Sequence, residues 1–228
     1  MWWRSRHRNV VESAQSKILD LAYLSGRVPW TGERIIFARK RVARIVLTSG
    51  RVIAADGLIP RSDLRPFKQR LPIGQFPVVL TLARIDGEER PAYAMIECSS
   101  ERAATWEPGL PEGSSPAELK AGERFGFAVD SWHAAFLDAD AVPAWCEPRG
   151  PDQPSALEIE HNTNAGLWND HHFSNVAANL VTFFSGFGSG VYACYFGRNA
   201  KREVVSLAAD FRLLEGLETY RRMTRGKH

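Results

Sequence analysis

Cysteine is scarce in this chain of 228 residues, with copies only at Cys98, Cys146 and Cys194. They form neither a CxxC pair nor an even set, so the sequence contains no disulfide framework and no cysteine-rich metal motif. Long apolar runs are also missing. No stretch approaches the ~20 apolar residues that cross a bilayer, and residues 1–8 lack the apolar core of a signal peptide. We therefore expect a soluble, cytoplasmic protein that does not contact a membrane.

Recognisable catalytic motifs are absent as well. The glycines of residues 185–190 follow a predicted strand, as in a dinucleotide-binding loop, but that motif must open a helix. The next residues, 191–196, have the pattern of a strand instead. Ser189 is not a nucleophile elbow, because that motif requires glycine at the position of Phe187. The sequence predicts no cofactor and leaves open whether the protein is an enzyme.

The excess of positive over negative charge is small: 29 Lys and Arg against 26 Asp and Glu give a formal net charge of +3. Basic residues cluster near both ends and at residues 39–44. A nucleic-acid binder normally combines a basic face with a recognisable reading element, and the sequence has none. We therefore expect no nucleic-acid partner and interpret these clusters as solvated surface.

Short runs rich in Val, Phe and Tyr, bounded by turn-forming residues, indicate strands. Hairpins are predicted to join residues 41–47 to 51–55, 76–85 to 90–97, and 125–129 to 134–137. Three runs near the carboxyl end, 180–184, 191–196 and 204–208, predict a three-stranded antiparallel meander. The fold prediction is thus a mainly β protein, an antiparallel, two-sheet, sandwich-like domain with short peripheral helices.

The N-terminal region has a different pattern. From Val10 to Leu24, apolar residues recur on one face of a helix, which predicts an amphipathic helix that packs on the body or on a second subunit. We predict an N-terminal helical segment at residues 1–30 and a single β-rich domain at 31–228. Within that domain, residues 148–172 are rich in Pro, Gly, Asn and Asp and predict a surface excursion.

Three acidic residues next to predicted turns are candidate catalytic groups: Asp130, Asp138 and Asp210. A carboxylate at such a place commonly accepts backbone N–H bonds, and either Asp138 or Asp140 is also a candidate cap of a short helix. Alternatively, the three could gather at one end of the sandwich and form an acid–base or hard-cation site. The choice depends on the strand order, so both interpretations stay open.

Turn loops and aromatic residues suggest a binding surface. Candidate ligand or partner residues are Phe187, Tyr192, Ser185, Arg90 and Glu97, with Phe187 expected to be exposed at a turn tip. Our first hypothesis is a non-enzymatic recognition module that binds a protein partner or a small ligand. The alternative is a hydrolase or lyase that uses the clustered carboxylates, with or without a divalent metal.

Histidines offer a weaker possibility for a metal site. The candidates are His133, His161 and His171, but no ligand spacing of a known metal motif joins them to the nearby acids. We therefore expect no metal site.

Several segments, taken together and in order, resemble one bacterial family, domain of unknown function 4241, over roughly Leu47 to Leu213. The resemblance rests on residues 48–56, 71–78, 90–94, Trp106, 127–130, 136–138, 184–192, 195–197 and 210–211. The chain departs from the family pattern at Ser189, where an acidic residue is typical. The resemblance implies a fold and supplies no chemistry.

Overall fold

The structure, a computed structural model, describes residues 2–6, 19–30, 33–120, 123–147 and 167–215. This part of the chain is mainly β, as predicted. Its strands are β1 (Trp2–Arg6), β2 (Gly26–Trp30), β3 (Glu33–Leu47), β4 (Val52–Asp56), β5 (Gly74–Ile85), β6 (Glu88–Glu97), β7 (Thr105–Pro108), β8 (Glu123–Val129), β9 (His133–Asp138), β10 (Trp168–His172), β11 (Asn179–Phe184), β12 (Gly190–Arg198) and β13 (Val204–Asp210). The helical elements are short, namely Leu21–Tyr23, Pro116–Glu118, Ala139–Ala141 and Val142–Cys146.

The strands form two antiparallel sheets, which confirms that part of the prediction. In the described residues, the larger sheet has nine strands in the order β1-β8-β12-β13-β6-β5-β3-β2, and β7 also pairs with β12. The smaller sheet has four strands in the order β10-β11-β9-β4. All neighbouring strands run antiparallel.

The main core lies between the two sheets. Phe136 and Phe183 of the smaller sheet meet edge to face, with ring centroids 4.9 Å apart, and pack in one cluster with Phe196 of the larger sheet. Side chains alternate along a strand, so Ala54 of β4 joins this cluster while Ile53 belongs to another on the outer face of the smaller sheet. Full burial of each large apolar side chain contributes about 1.5–3 kcal/mol, which makes this cluster the chief source of stability.

Two predicted hairpins are confirmed. β5 and β6 pair across Asp86 and Gly87, whose φ angles of 52° and 88° are those of a tight hairpin turn that matches the twist of the strands. β12 and β13 pair around a turn in which the Asn199 side-chain oxygen accepts hydrogen bonds from two backbone amides. In that turn, the residue with positive φ is Arg202 rather than the asparagine.

The three other predicted hairpins are wrong, because their strands belong to different sheets. β3 and β8 lie in the larger sheet, whereas β4 and β9, which follow them, lie in the smaller one. β11 belongs to the smaller sheet and β12 to the larger, so only the second half of the predicted meander is paired. Both sheets turn an apolar face to one core, so alternation alone cannot assign a strand to a sheet. We call the connections the β3–β4 corner (48–51), the β8–β9 corner (130–132) and the β11–β12 corner (185–189).

Part of the predicted N-terminal helix lies outside the described residues, namely 10–18. Leu19, Ala22 and Tyr23 are buried on the outer face of the larger sheet, and the Thr81 hydroxyl donates to the Ala22 carbonyl at 2.5 Å. β1 and β2 also fall within residues 1–30 and pair with strands of the larger sheet. The domain division at residue 30 and self-association through Val10 to Leu24 stay predictions.

The last residues of the predicted surface excursion form a strand instead of a loop. Positions 148–166 lie outside the described residues, but Trp168–His172 forms β10, which pairs with β11 at the edge of the smaller sheet. The Lys40 ammonium lies 4.2 Å from the centre of the Trp168 ring, a contact that sequence order could not reveal. The predicted helix cap is confirmed, since the Asp138 side chain accepts a hydrogen bond from the Asp140 amide.

Candidate functional site

Asp56, the last residue of β4, holds the β8–β9 corner. Its Oδ2 atom accepts hydrogen bonds from the amides of Asp130 at 2.7 Å and Ser131 at 2.8 Å. Its Oδ1 atom accepts from the Ser131 hydroxyl and from the Leu58 amide, the latter at 3.1 Å. Hydrogen bonds to a charged acceptor are stronger than neutral ones. The buried Asp56 carboxylate therefore fixes this corner against β4.

Asp138, the last residue of β9, does the same for the β3–β4 corner. Its Oδ2 atom accepts from the amides of Ser49 at 3.1 Å and Gly50 at 3.0 Å. Its Oδ1 atom accepts from the Ser49 hydroxyl at 2.6 Å and from the Asp140 amide at 3.0 Å. The side chain has no exposed surface, so these protein donors replace water completely.

The β11–β12 corner is bonded to the β8–β9 corner. The Ser185 amide donates to the Trp132 carbonyl at 3.0 Å, and the Ser185 hydroxyl lies 2.9 Å from the same oxygen. The Ser189 hydroxyl donates to the Asp130 carbonyl at 3.1 Å. These two corners therefore form one continuous surface.

Trp132 stands out on that surface. It is 54% exposed and has a φ of 68°, a region that costs an L residue roughly 1–2 kcal/mol. Its ring lies against Gly188, where an added Cβ would be 3.0 Å from the indole, and meets Phe184 edge to face. Strained exposed residues of this kind cluster at functional sites.

A cleft of about 460 Å³ opens beside these corners, within the range of ligand pockets. One wall is β4, the other is formed by β8 and the start of β12, and residues 59–64 form the rim. Ala54 and Ala55 both line it, although successive side chains of a strand point to opposite faces of the sheet. A cleft that contacts both must run along the edge of β4.

The backbone of β4 is unpaired along this cleft. The Gly57 amide donates to the His133 carbonyl on the β9 side, whereas the Val52 carbonyl accepts from the Phe67 amide on the opposite side. Backbone groups alternate between the two sides of a strand, so the N–H and C=O of Ala54 also point away from β9. No strand in the described part of the chain pairs with β4 there. The cleft therefore runs along a strand edge that no described strand covers, and Ala54 on this edge is 1% exposed.

The distribution of charge in the cleft beside β4 is simple. The Asp130 carboxylate is exposed and makes no hydrogen bond or ion pair within the described residues, where only its backbone groups are bonded. Arg61 is engaged by Asp63 through two hydrogen bonds of 2.9 and 2.7 Å. Ile59, 42% exposed, adds apolar surface at the rim. The cleft thus combines an apolar lining with one available negative charge.

The three predicted acids have different surroundings. Asp138 is enclosed by the β3–β4 corner, Asp130 faces the cleft, and Asp210 ends β13 beside Arg124 and Tyr195. No hydrogen-bond partner in the described residues is shared between them. One interpretation was that a carboxylate next to a turn accepts hydrogen bonds from backbone N–H groups, and Asp138 fits it fully. Asp210 accepts one such bond.

The carboxyl group of Asp210 has a raised pKa. Burial raises its pKa to about 6, although the amide of Arg212, which donates at 2.8 Å, favours the charged form. Neighbouring Arg124 also lowers the pKa, while Glu215 raises it. The space beside Asp210 is about 10 Å³, which is room for about one water molecule and not for a substrate.

The predicted ligand residues are distributed over several places. Phe187 is half-buried rather than fully exposed, because its ring packs on the outer face of the larger sheet and the Arg90 guanidinium lies 5.3 Å from its centre. Tyr192 is buried and donates to the Gly188 carbonyl at 2.6 Å, which makes it a support for the β11–β12 corner. Ser185 is buried in the same corner, as described above. Glu97 lies elsewhere, in an ion pair with an arginine of β3.

His133 and His171 lie in different strands of the smaller sheet, β9 and β10. His133 is 3% exposed, with Nδ1 3.1 Å from the Ser131 carbonyl, and its Nε2 has no hydrogen-bond partner among the described residues. His171 meets the Phe173 ring edge to face, and His161 lies outside the described residues. In the described ranges, no group of three or more His, Cys, Asp or Glu residues is arranged to hold a metal ion. Burial raises the pKa of the Cys98 thiol to about 12, so it stays protonated at neutral pH.

Asn179 is a structural residue that the sequence interpretation missed. Its Oδ1 atom accepts from the Val46 amide at 2.7 Å, and its Nδ2 atom donates to the Arg44 carbonyl at 2.8 Å, which ties β11 to β3 across the two sheets. Nδ2 also donates to Asp170 of β10. The available signal was a fully polar residue at the start of the apolar run 179–184. The free edge of β4 had no such signal, because it depends on strand order.

Within the described residues, no helix is both long enough and apolar enough to cross a membrane. The chain matches no curated protein and no solved structure. A family model described as "Protein of unknown function (DUF4241)" matches residues 45–209, which confirms the resemblance stated above. Because this match covers well over half of the chain, the protein belongs to the DUF4241 family.

Proposed function

We propose that this protein is a binding module that captures an extended segment of a partner protein in the cleft beside β4. The observation that carries the proposal is the unpaired edge of β4 along one wall of the cleft. An extended segment that adds a strand to such an edge gains main-chain hydrogen bonds, while neighbouring pockets select its side chains.

The lining defines the chemistry of the segment. Phe127, Ala128 and Val191 supply apolar contacts, and Asp130 supplies the available charge. The matching segment has apolar side chains and one Lys or Arg that reaches Asp130. An exposed ion pair contributes only about 0–1 kcal/mol, so affinity comes from the strand bonds and apolar burial. Asp130 then sets register and specificity.

The same lining favours binding over catalysis. The titratable residues of the cleft are Asp56, Arg61 and Asp130. Asp56 accepts four hydrogen bonds and Arg61 is ion-paired, so neither is available as a nucleophile or base. Asp130 alone has no partner with which to form a nucleophile–base pair. The hydrolase or lyase alternative therefore has no supporting arrangement in this cleft.

Selection from a random peptide library, followed by amide hydrogen exchange, tests the proposal. Selected peptides should carry a basic residue among apolar ones, and binding should slow exchange at the Ala54 amide. Asp130→Lys should weaken binding by about tenfold, because attraction becomes repulsion of similar size. The matched control is Asp20→Lys, which reverses an exposed acid whose side chain makes no capping bond.

Two results would contradict the proposal. One is a bound peptide that leaves exchange at Ala54 unchanged, which would show that no strand is added. The other is equal binding by the Asp130→Lys and Asp20→Lys variants, which would show that this carboxylate does not face the segment. A small ligand that fills the cleft without slowing exchange at Ala54 would likewise replace the strand-addition mechanism.

A further inference from the structure

A second cavity, of about 250 Å³, lies on the outer face of the larger sheet beside Tyr23. None of its lining residues lines the cleft beside β4. Three arginines surround it: Arg39 and Arg41 come from the same face of β3, and Arg102 comes from the segment after β6. Serine hydroxyls and two glutamates complete a mainly polar wall.

The acids in this wall already have partners. Glu97 is ion-paired with Arg39, and Glu101 accepts a hydrogen bond from the Asn199 side chain at 3.0 Å. Arg41 and Arg102, by contrast, have no carboxylate partner within the described residues. With three arginines and two glutamates, the described wall of this cavity has a formal charge of +1.

A second observation is that two of these arginines lie beside the same aromatic ring. The Arg39 and Arg102 guanidinium groups lie 5.7 and 5.4 Å from the centre of the same Tyr23 ring. Like charges near one ring repel each other, and the Glu97 carboxylate, ion-paired with Arg39, offsets part of this repulsion. The Nε atom of Arg39 is also buried, and no described residue offers it a hydrogen-bond acceptor.

We propose that this cavity binds a small dianion, and that a phosphate monoester is its best match. The planar guanidinium fork fits phosphate oxygens in pairs, and neither Arg41 nor Arg102 has an acidic partner in the described residues. Ser99 and Ser100 supply hydroxyls at the same wall. The volume lies below the usual range for drug-sized ligands, so the ligand is a small molecule and not a polymer. The predicted ligand residue Glu97 then acts indirectly, by positioning Arg39.

Isothermal titration with methyl phosphate tests the site, with acetate as the monoanion. Methyl phosphate should bind saturably, and acetate at least tenfold more weakly. Arg41→Gln and Arg102→Gln should each reduce affinity for methyl phosphate about tenfold or more. Arg70→Gln is the matched control, because Arg70 is exposed, lies outside this cavity and has no partner in the described residues.

Both cavity variants replace exposed side chains, so their thermal midpoints should stay close to that of the unchanged protein. Loss of binding with an unchanged midpoint supports the site. Arg39→Lys is a further test, since lysine can keep the ion pair with Glu97 but lacks the planar guanidinium fork, and binding should again weaken. Equal affinity in the Arg70 and Arg102 variants, or equal binding of acetate and methyl phosphate, would overturn the proposal.

Discussion

Replacing Asp138 with asparagine tests whether buried carboxylates hold the corners between the two sheets. The carboxylate accepts hydrogen bonds from two amides on one oxygen, and from a hydroxyl and the Asp140 amide on the other. An asparagine carbonyl can keep the amides of Ser49 and Gly50. The Ser49 hydroxyl can also reverse and accept from the new NH₂ group. The Asp140 amide, however, then faces a second donor and loses its acceptor.

The expected magnitude follows from these contacts. A buried donor left without a partner costs about 1–3 kcal/mol, and a hydrogen bond to a charged group is worth about 1.5–3 kcal/mol. We therefore expect Asp138→Asn to reduce the free energy of unfolding by about 2–3 kcal/mol. Asp138→Ala leaves every donor unpaired and also creates a cavity, so its loss should reach about 4 kcal/mol.

Urea unfolding followed by tryptophan fluorescence measures these losses. Asp130→Asn is the matched control, because Asp130 also lies at a corner but its carboxylate is exposed. Its effect should stay within about 0.5 kcal/mol. If Asp138→Asn and Asp130→Asn cost the same, the Asp138 carboxylate does not hold the β3–β4 corner and the reasoning is refuted.

Two further predictions concern Asp210 and Gly50. Because burial raises the Asp210 pKa from its ordinary 3.8 to about 6, the folded state binds this proton more tightly, so stability falls as pH rises from about 4 to 6. The free energy of unfolding of Asp210→Asn should therefore exceed that of the unchanged protein by about 3 kcal/mol at pH 7. In urea titrations this difference should disappear below about pH 4. A difference that does not depend on pH would contradict the prediction. Gly50→Ala should cost more than about 3 kcal/mol, since its Cβ would lie 2.2 Å from the Leu71 carbonyl oxygen at a φ of 70°. Gly87→Ala, at a φ of 88° with no atom within 4 Å, should cost only about 1–2 kcal/mol, and equal losses would show that the close contact relaxes.

Local features of the fold were predictable because their causes are local. β5 and β6 are joined by Asp86 and Gly87, two residues that adopt positive φ readily, so that hairpin was visible in the sequence. The cap at Asp138 was visible for the same reason, since its acceptor and donor are two residues apart. Strand positions followed from short apolar runs between turn residues.

Sheet membership was not predictable, because it depends on contacts between distant residues. The turn-forming residues of the β3–β4 and β8–β9 corners suit hairpins equally well, and the deciding bonds come from Asp138 and Asp56 far along the chain. The candidate sites also depend on contacts between distant residues. Asp130 was a candidate from its own turn, but the strand edge opposite it exists only once β4 pairs with β9. Arg39 and Arg102 likewise meet only through Tyr23.

The position of β12 and β13 has a consequence for how the chain is made. These strands occupy the middle of the larger sheet, between β8 on one side and β6 on the other. Until residues 190–210 have left the ribosome, β1-β8 and β6-β5-β3-β2 remain two unconnected halves with exposed inner edges. Folding of this sheet to completion therefore has to wait until residue 210 has been synthesised, and a stop codon before residue 190 would yield fragments prone to aggregation.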